Sequence, residues 1–414
     1  MPEFLPFAGV RYNCRAAGTE LGKLAAPPYD VVDTDERAAL AAMHPNNSVR
    51  LILPLDEDEA GDRYRRAAAA FAKWLRAGIL FEDDHPRFYG YRMQYRDSHG
   101  RERHTAGVLG ALGLPDGEGG TNSDILPHER TMPKAKSDRL ALLSTMRVNV
   151  DPIWGLTAGS GLTALLADAS PLDSCTDNEG VRHELFAIDD PARIAAITEI
   201  VAGAPLVLAD GHHRFETAIN YRNELRAADE PLDGAVGIMA FVVELVEDEL
   251  CIEPIHRVAE AAADIDVRAR LADAFEIEPM GDVTPENVEA LELAMADRRA
   301  LGLVDTQGLA LAIPRADVRA AALADEHPVV AETDAATVEA LVVPRLPEAT
   351  WQYRHDAAAC AALVDKRAAS FAILCSPVTV AQTRAAALDG ARMPQKTTFF
   401  WPKPRTGMVF RTLD

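Results

Sequence analysis

The stretch Val207-Leu-Ala-Asp-Gly-His-His-Arg-Phe-Glu-Thr-Ala218 joins an apolar segment to a helical pattern. The run from Pro205 to Ala209 has the composition of a buried strand, and apolar residues then recur at helical spacing. Asp210 suits a helix N-cap, and Gly211 allows a sharp turn and a close approach of the backbone to a ligand. The stretch therefore predicts a strand, a glycine turn and a helix start.

The first turn of this predicted helix carries three residues that can contact an anion: His212, His213 and Arg214. The N–H groups and the dipole of a helix start favour negative charge at this position. An arginine adds a planar fork of donors that fits phosphate oxygens. We interpret the turn as a phosphate-binding site.

Composition limits the class of protein. The chain has 414 residues, 48% hydrophobic and 26% charged, which is typical of a globular protein of two or three domains. Its 42 basic and 64 acidic residues give a net charge of −22, which argues against broad binding of nucleic acid or anionic membranes. An anionic ligand must therefore be held by a local cationic site.

The sequence also limits the expected compartment. No apolar run approaches the roughly 18 residues of a membrane span, and no signal-peptide pattern opens the chain. Five scattered cysteines without a C-x-x-C pair favour neither a disulfide framework nor a zinc ribbon. We expect a cytoplasmic protein.

A second unusual stretch runs from Ile125 to Arg139. It concentrates charged and titratable residues: His128, Glu129, Arg130, Lys134, Lys136, Asp138 and Arg139. A zinc helix of the H-E-x-x-H type is absent, because Met132 stands where the second histidine would be. A solvated loop is one interpretation. The apolar residues on either side favour an enclosed cluster, and carboxylates beside cations suit a magnesium–phosphate site.

Other patterns predict the framework. Residues 62–79 predict an amphipathic helix, Ser48 to Pro54 predicts a strand, and 235–244 predicts a strand buried on both faces. Beyond about residue 260 the chain becomes Ala-rich and acidic, and its simplest role is packing or homo-oligomerisation. Near the end, a cationic and aromatic loop at 393–405 places Lys396 where it could contact phosphates.

Five motifs in order support a resemblance. They are Ala26-Pro-Pro-Tyr-Asp-Val31, His128-Glu-x-Thr131, Asp210-Gly-His-His-Arg214, His256-Arg257 and Met393-Pro-Gln-Lys-Thr-Thr-Phe-Phe-Trp-Pro-Lys403. Together they resemble the bacterial and archaeal domain-of-unknown-function family numbered 1015. The resemblance covers essentially the whole chain, and the family carries no established activity to transfer.

A wider resemblance concerns the central turn. Gly211-x-x-Arg214 is similar to the turn of the ParB/sulfiredoxin superfamily, in which such a motif contacts nucleotide phosphates. His212 stands where sulfiredoxin has its cysteine, so redox chemistry is not supported, and the basic helix-turn-helix of the partitioning proteins is not evident. The resemblance favours the free-serine kinase branch. It implies a mixed α/β fold, with a ParB/sulfiredoxin-like core over 1–260 and a C-terminal α/β region over 261–414.

The resulting hypothesis is a nucleotide-dependent phosphotransferase that acts on a small hydroxyl substrate, with free serine as the first candidate. The expected catalytic residues are Glu129, His128 and His213, with Glu129 accepting the hydroxyl proton. The expected nucleotide-binding residues are Asp210, Gly211, His212, Arg214, Lys134, Arg139 and Lys396. The expected cofactors are ATP or ADP and Mg²⁺, the metal being held mainly by phosphate oxygens with Glu129 or Asp210 as a protein ligand.

Three alternatives remain open at this point. A non-catalytic nucleotide-sensing or regulatory module would need the phosphate turn but no general base. A phosphatase of small phosphoesters would use the same phosphate-binding residues with water as the nucleophile. A metal-dependent hydrolase built on His128, His212 and His213 is less favoured, because adjacent histidines at a helix start point in different directions.

Overall fold

The structure, a computed structural model, describes residues 1–56, 62–97, 100–116, 124–127, 134–166, 170–260 and 265–414, with only the backbone described for 134–137. These residues form two compact units. The first unit contains Met1–Pro127, Thr131–Cys251 and Pro402–Asp414, and the second is built on Ile252–Trp401.

The first unit contains most of the strands. Numbered along the chain, they are β1 Phe4–Leu5, β2 Val10–Tyr12, β3 Leu80–Glu82, β4 Phe88–Arg96, β5 Glu102–Gly113, β6 Ile125–Pro127, β7 Val148–Asn149, β8 Ile153–Thr157, β9 Asp173–Thr176, β10 Arg182–Ile188, β11 Leu206–Asp210, β12 Gly237–Glu244 and, after the second unit, β21 Arg411–Thr412. Its helices are α1 Cys14–Ala17, α2 Thr34–Met43, α3 Val49–Ile52, α4 Asp62–Arg76, α5 Lys134–Met146, α6 Pro191–Ala202 and α7 His212–Ala227.

A mixed sheet of nine strands organises this unit. Eight strands follow the order β6-β11-β8-β12-β5-β4-β10-β9, and β1 pairs with β5 outside that path. The pairs β6–β11 and β8–β12 are parallel, whereas β8 runs antiparallel to β11. The end of β11 therefore lies beside the start of β8 and the end of β6. The predicted mixed α/β class is confirmed.

Hydrophobic patterning explains the centre of the sheet. In β12 every residue except Glu244 is buried, as predicted for a strand covered on both faces. On α7, the predicted apolar face of Phe215, Ala218 and Ile219 joins the same core cluster as residues of β8 and β12. α7 also packs against α5, which brings the two unusual stretches of the sequence together.

One predicted strand is wrong. Ser48–Pro54 forms the short helix α3, Val49–Ile52, in place of the expected strand. The Asn47 side chain accepts a hydrogen bond from the backbone N–H of Val49, at 2.9 Å, and so favours a helical turn. The Ser48 hydroxyl donates to the Thr406 carbonyl, a contact that sequence patterning does not reveal.

The second unit is a separate α/β body. Its strands are β14 His256–Glu260, β15 Phe275–Gly281, β16 Leu301–Asp305, β17 Gly308–Pro314, β18 Thr350–Arg354, β19 Phe371–Leu374 and β20 Phe399–Trp401, and β13 Cys251–Glu253 lies at its boundary. Its helices are α8 Val267–Leu271, α9 Pro285–Arg298, α10 Ala316–Ala322, α11 Pro328–Ala331, α12 Asp334–Thr337, α13 Ala357–Asp365 and α14 Val380–Leu388. Six strands form a sheet in the order β15-β17-β16-β19-β14-β18.

Residues 402–414 belong to the first unit although the whole second unit precedes them. β21 pairs with β7, and single bridges join Val10 to Phe410 and Ala26 to Thr406. The compact units divide the chain between Cys251 and Ile252, and the predicted division at 260/261 stays a prediction. Within the described ranges, no helix is long and apolar enough to cross a membrane.

Candidate functional site

The turn after β11 has the geometry that a glycine permits. Gly211 is the N-cap of α7, with φ at 86°, in the left-handed region. A Cβ atom at this position would approach the Ile153 side chain to 2.9 Å. The predicted N-cap role of Asp210 is wrong, because Asp210 still belongs to β11 and its carboxylate binds two cations.

Asp210 holds the two cations with one oxygen each. Arg214 Nη2 donates to Oδ2 at 2.7 Å, and Lys403 Nζ donates to Oδ1 at 2.7 Å. Burial works to raise the pKa of Asp210, but Lys403 and Arg214 outweigh burial and hold that pKa well below its usual range. The carboxylate is therefore ionised, and it pairs with two cationic side chains.

The Arg214 guanidinium is fixed by further contacts. Nη1 donates to the Pro152 carbonyl, and Nε has no hydrogen-bond partner among the described residues. Two guanidinium groups lie over the Tyr29 ring, whose centroid is 5.8 Å from Arg214 Cζ and 4.4 Å from Arg139 Cζ. A rigid arginine of this kind is prepared to bind an anion with little loss of side-chain entropy.

A small cavity of ≈50 Å³ adjoins Arg214. Its polar lining includes Asp151, Thr217 and the guanidinium groups of Arg214 and Arg139, and Leu142, Val148, Val150 and Ile238 are among its apolar walls. The Thr217 hydroxyl is buried and has no hydrogen-bond partner among the described residues. A water molecule takes about 30 Å³, so the cavity has the size of a hydroxymethyl group and not of a nucleotide.

Asp151 is a carboxyl group that lines this cavity. Burial raises the pKa of Asp151 to about 6, although Arg214 and Arg139 act in the opposite direction. The Thr406 hydroxyl donates a hydrogen bond to Asp151 Oδ1. A carboxylate with this pKa can accept and release a proton near neutral pH.

A larger groove of ≈870 Å³ lies elsewhere, over β4 and β5, and contains none of the turn residues. Its arginines already have protein partners. Arg96 pairs with Glu102 at 2.5 Å, Arg92 lies 3.6 Å from Glu184, and Arg103 donates to backbone carbonyls. Because its charges are used internally, we place the candidate chemistry at the turn despite the larger volume of this groove.

The predicted residues of the central turn lie together. Asp210, Gly211, His212, His213 and Arg214 are all half-buried at the end of β11 and in the first turn of α7. His212 is close enough to Asp210 to contribute to the low pKa of that carboxyl. The catalytic role of His213 stays a prediction.

The second predicted stretch is described only in part. His128 and Glu129 lie outside the described residues, and Lys134 begins α5 with its side chain outside the description. Pro127, which ends β6, pairs with Leu208 of β11 in parallel register. The chain thus enters the His128–Glu129 segment from the strand next to β11. The roles of these residues stay predictions.

Arg139 and Lys396 occupy different environments. Arg139 is buried, donates to the Ile52 carbonyl and to Asp138, and stacks on Tyr29. Lys396 is exposed in the second unit, with φ at 56°. The nucleotide-binding roles of both stay predictions.

The sequence did not identify several residues of the site. Tyr29 belongs to the Ala26–Val31 motif, which supported the family resemblance but indicated no role in the site. Asp151 and Thr217 carried no local signal, since an aspartate before a proline and a helical threonine are common. Lys403 belongs to the cationic and aromatic loop expected at 393–405, and its ion pair with Asp210 joins residues 193 positions apart.

Metal ligands were sought in the described parts of the chain. No group of three or more His, Cys, Asp or Glu side chains there could hold a metal ion. Both oxygens of Asp210 are occupied by Arg214 and Lys403, so this carboxylate does not fit a Mg²⁺ ligand in its present contacts. We derive no step through a protein-bound metal, and the Mg²⁺ role stays a prediction.

A family model described as Protein of unknown function (DUF1015) matches residues 4–336. The chain belongs to this family. The family predicted from the five motifs is therefore confirmed. A comparison of this DUF1015 protein with curated proteins finds no match.

Solved structures show distant likeness to the DUF1015 chain. A free serine kinase mutant in complex with AMP is 12% identical, with 70% of this chain and 89% of that chain covered and a TM-score of 0.40. A conserved hypothetical protein from Pyrococcus furiosus is 12% identical, with 69% and 90% covered and a TM-score of 0.37. SbnI from Staphylococcus aureus is 11% identical, with 73% and 86% covered and a TM-score of 0.36. At these TM-scores the likeness carries no argument about function.

Proposed function

We propose that this DUF1015 protein is a nucleotide-dependent phosphotransferase that acts on a small hydroxyl substrate, with free serine as the first acceptor to test. The observation that carries the proposal is the convergence of Arg214 and Lys403 on Asp210 at the start of α7. Two cationic side chains that are little exposed, at the positive end of a helix dipole, favour an added anion.

The phosphate groups are proposed to lie over the Gly211 turn. Gly211 brings the backbone close to a ligand, and Arg214 is held in place by Asp210 and by the Pro152 carbonyl. Phosphoryl transfer depends on positioning and charge stabilisation, which fixed cations supply. The similarity of Gly211-x-x-Arg214 to the nucleotide-contacting turn of the ParB/sulfiredoxin superfamily supports a nucleotide as the donor.

The acceptor hydroxyl is proposed to enter the cavity of ≈50 Å³ beside Arg214. The Thr217 hydroxyl and Arg214 Nε point to a polar occupant, because buried polar groups without hydrogen bonds are costly. Asp151 is proposed to accept the proton of this hydroxyl as its oxygen attacks the transferred phosphoryl group and the nucleotide leaves, and its pKa of about 6 supports that role. Glu129 stays a second candidate for the same proton transfer.

The direct test uses the full-length protein with Mg²⁺, serine, and ATP or ADP in turn, and detects phosphoserine by mass spectrometry. We expect phosphoserine with one of the two nucleotides. Nucleotide binding without any product would exclude phosphotransfer to serine and leave the sensing module. Release of phosphate from phosphoserine in the absence of nucleotide would favour the phosphatase.

The proposed contact between Arg214 and phosphate is tested separately with the variant Arg214→Ala. The matched control is Arg226→Ala, because Arg226 lies on the same helix and pairs only at the surface with Asp116. We expect nucleotide affinity to fall at least about tenfold in Arg214→Ala, which corresponds to the loss of one charge-assisted interaction. Equal affinities of the two variants in isothermal titration would remove the phosphate-turn proposal.

A further inference from the structure

A second arginine with unusual surroundings lies in the other unit. Arg257, in the His256-Arg257 motif that opens β14, is only 2% exposed. Its Nη1 atom donates to the Ile255 carbonyl, whereas Nε and Nη2 have no hydrogen-bond partner among the described residues. Nε and Nη2 form one edge of the guanidinium group, and such an edge binds the two oxygens of a carboxylate or phosphate in a bidentate manner.

The same molecule shows what this edge ordinarily holds. In three other arginines, Nε and Nη2 donate to the two oxygens of one aspartate: Arg11 to Asp83 at 3.0 and 2.8 Å, Arg268 to Asp305 at 2.7 and 2.9 Å, and Arg345 to Asp273 at 2.9 and 2.9 Å. Arg257 is more deeply buried than any of these and lacks such an aspartate.

Asp334 and Cys375 lie near Arg257, but neither is a hydrogen-bond acceptor for Nε or Nη2 in the described part of the chain. Burial raises the pKa of the Cys375 thiol to about 12 in spite of the adjacent guanidinium, so the thiol is neutral. Asp334 accepts the Ser376 N–H at 2.7 Å. Its carboxyl is close enough for the charge of Arg257 to lower its pKa, although burial outweighs this effect and raises that pKa. The Tyr353 ring stacks on the guanidinium, with its centroid 5.5 Å from Cζ.

We propose that the second unit binds a small oxyanion, a carboxylate or phosphate group, on the Nε and Nη2 edge of Arg257. Burying hydrogen-bond donors without acceptors is costly, so the unbonded Nε and Nη2 atoms indicate an acceptor group at this edge. A planar pair of anionic oxygens is the group that this edge recognises in the three arginines above. The site is independent of the phosphotransfer proposed for the first unit.

The test titrates full-length protein with inorganic phosphate and, separately, with acetate, and follows the melting temperature Tm. The titrations are repeated in the Arg214→Ala protein, so that anion binding at Arg257 is distinguished from anion binding at Arg214. We expect one anion to raise Tm there, and Arg257→Lys to weaken that response at least about tenfold, because lysine keeps the charge but loses the bidentate edge. Arg345→Lys, whose edge already holds Asp273, is the control and should respond like its parent.

A second variant distinguishes the loss of anion binding from a folding defect. Arg257→Met removes the buried charge at similar volume, so we expect a higher Tm than the parent without added anion and no response to either anion. A lower Tm for Arg257→Met without anion would assign Arg257 a structural role and overturn the proposal. An unchanged response in Arg257→Lys, or no response of the Arg214→Ala protein to either anion, would also overturn it.

Discussion

The substitution Asp151→Asn is expected to stabilise the protein and at the same time to abolish the proposed phosphotransfer. In the folded chain the pKa of Asp151 is about 6, raised by burial from an ordinary value of 3.8. The folded state therefore keeps this proton to a higher pH than the unfolded state does. Stability must fall as pH rises from about 4 to 6, and the loss persists above that window.

The size of the effect follows from the two pKa values. Each unit of pKa is worth about 1.4 kcal/mol, so the ionised Asp151 costs about 3 kcal/mol above pH 6. Asparagine cannot ionise, and its Oδ1 atom can still accept the Thr406 hydroxyl. We expect Asp151→Asn to raise the free energy of unfolding at pH 7.5 by up to about 3 kcal/mol and to abolish phosphotransfer.

Urea unfolding between pH 4 and 8 measures the first effect, and phosphoserine formation measures the second. Asp177→Asn is the control of opposite sign. Burial works to raise the pKa of Asp177, but His183 and Arg405 outweigh burial and lower it. Its stabilisation is therefore present at pH 7.5 and lost as pH falls, so this variant should be less stable at pH 7.5. The reasoning is refuted if Asp151→Asn is destabilised at pH 7.5 or keeps the wild-type slope between pH 4 and 6.

Three further outcomes are expected. Gly211→Ala should lower the free energy of unfolding, measured in urea, by about 2 kcal/mol. The control Gly180→Ala has φ at 80° but open space around it, so it should lower this free energy by about 1 kcal/mol. Equal losses in the two variants would contradict the steric reasoning. Lys403→Met should weaken nucleotide binding about tenfold in isothermal titration, and unchanged binding would exclude a phosphate contact. Asp210→Asn leaves Arg214 and Lys403 without their counter-charge and should lower the free energy of unfolding by about 3–5 kcal/mol. An unchanged free energy of unfolding would mean that these ion pairs do not form.

Local patterns predicted the parts of the fold that depend on local physics. The strand before Asp210, the helix after Gly211 and the fully buried β12 follow from hydrophobic spacing and from glycine chemistry. The strand predicted for 48–54 was wrong because Asn47 favours a helical turn over the β-type composition. Such side-chain competition is decided by geometry that composition does not contain.

The parts of the site that the sequence could not predict depend on distant pairing. Nothing near Asp210 indicates that Lys403 supplies its second cation, and nothing near Asp151 indicates a hydrogen bond from Thr406. The raised pKa of Asp151 likewise comes from burial, which is a property of the folded chain. The sequence predicted the turn that is proposed to bind phosphate, but it did not indicate the carboxylate that is proposed to act beside it.

The return of residues 402–414 to the first unit has a consequence for biosynthesis. About 150 residues of the second unit are translated between Cys251 and Pro402, which takes a ribosome roughly 8–30 s. Throughout that interval the nascent first unit lacks the Lys403 ammonium and the Thr406 hydroxyl. A chain that stalls or is cleaved before residue 402 never acquires the complete charge balance around Asp210. The fold thus ties assembly of the proposed site to translation beyond residue 406.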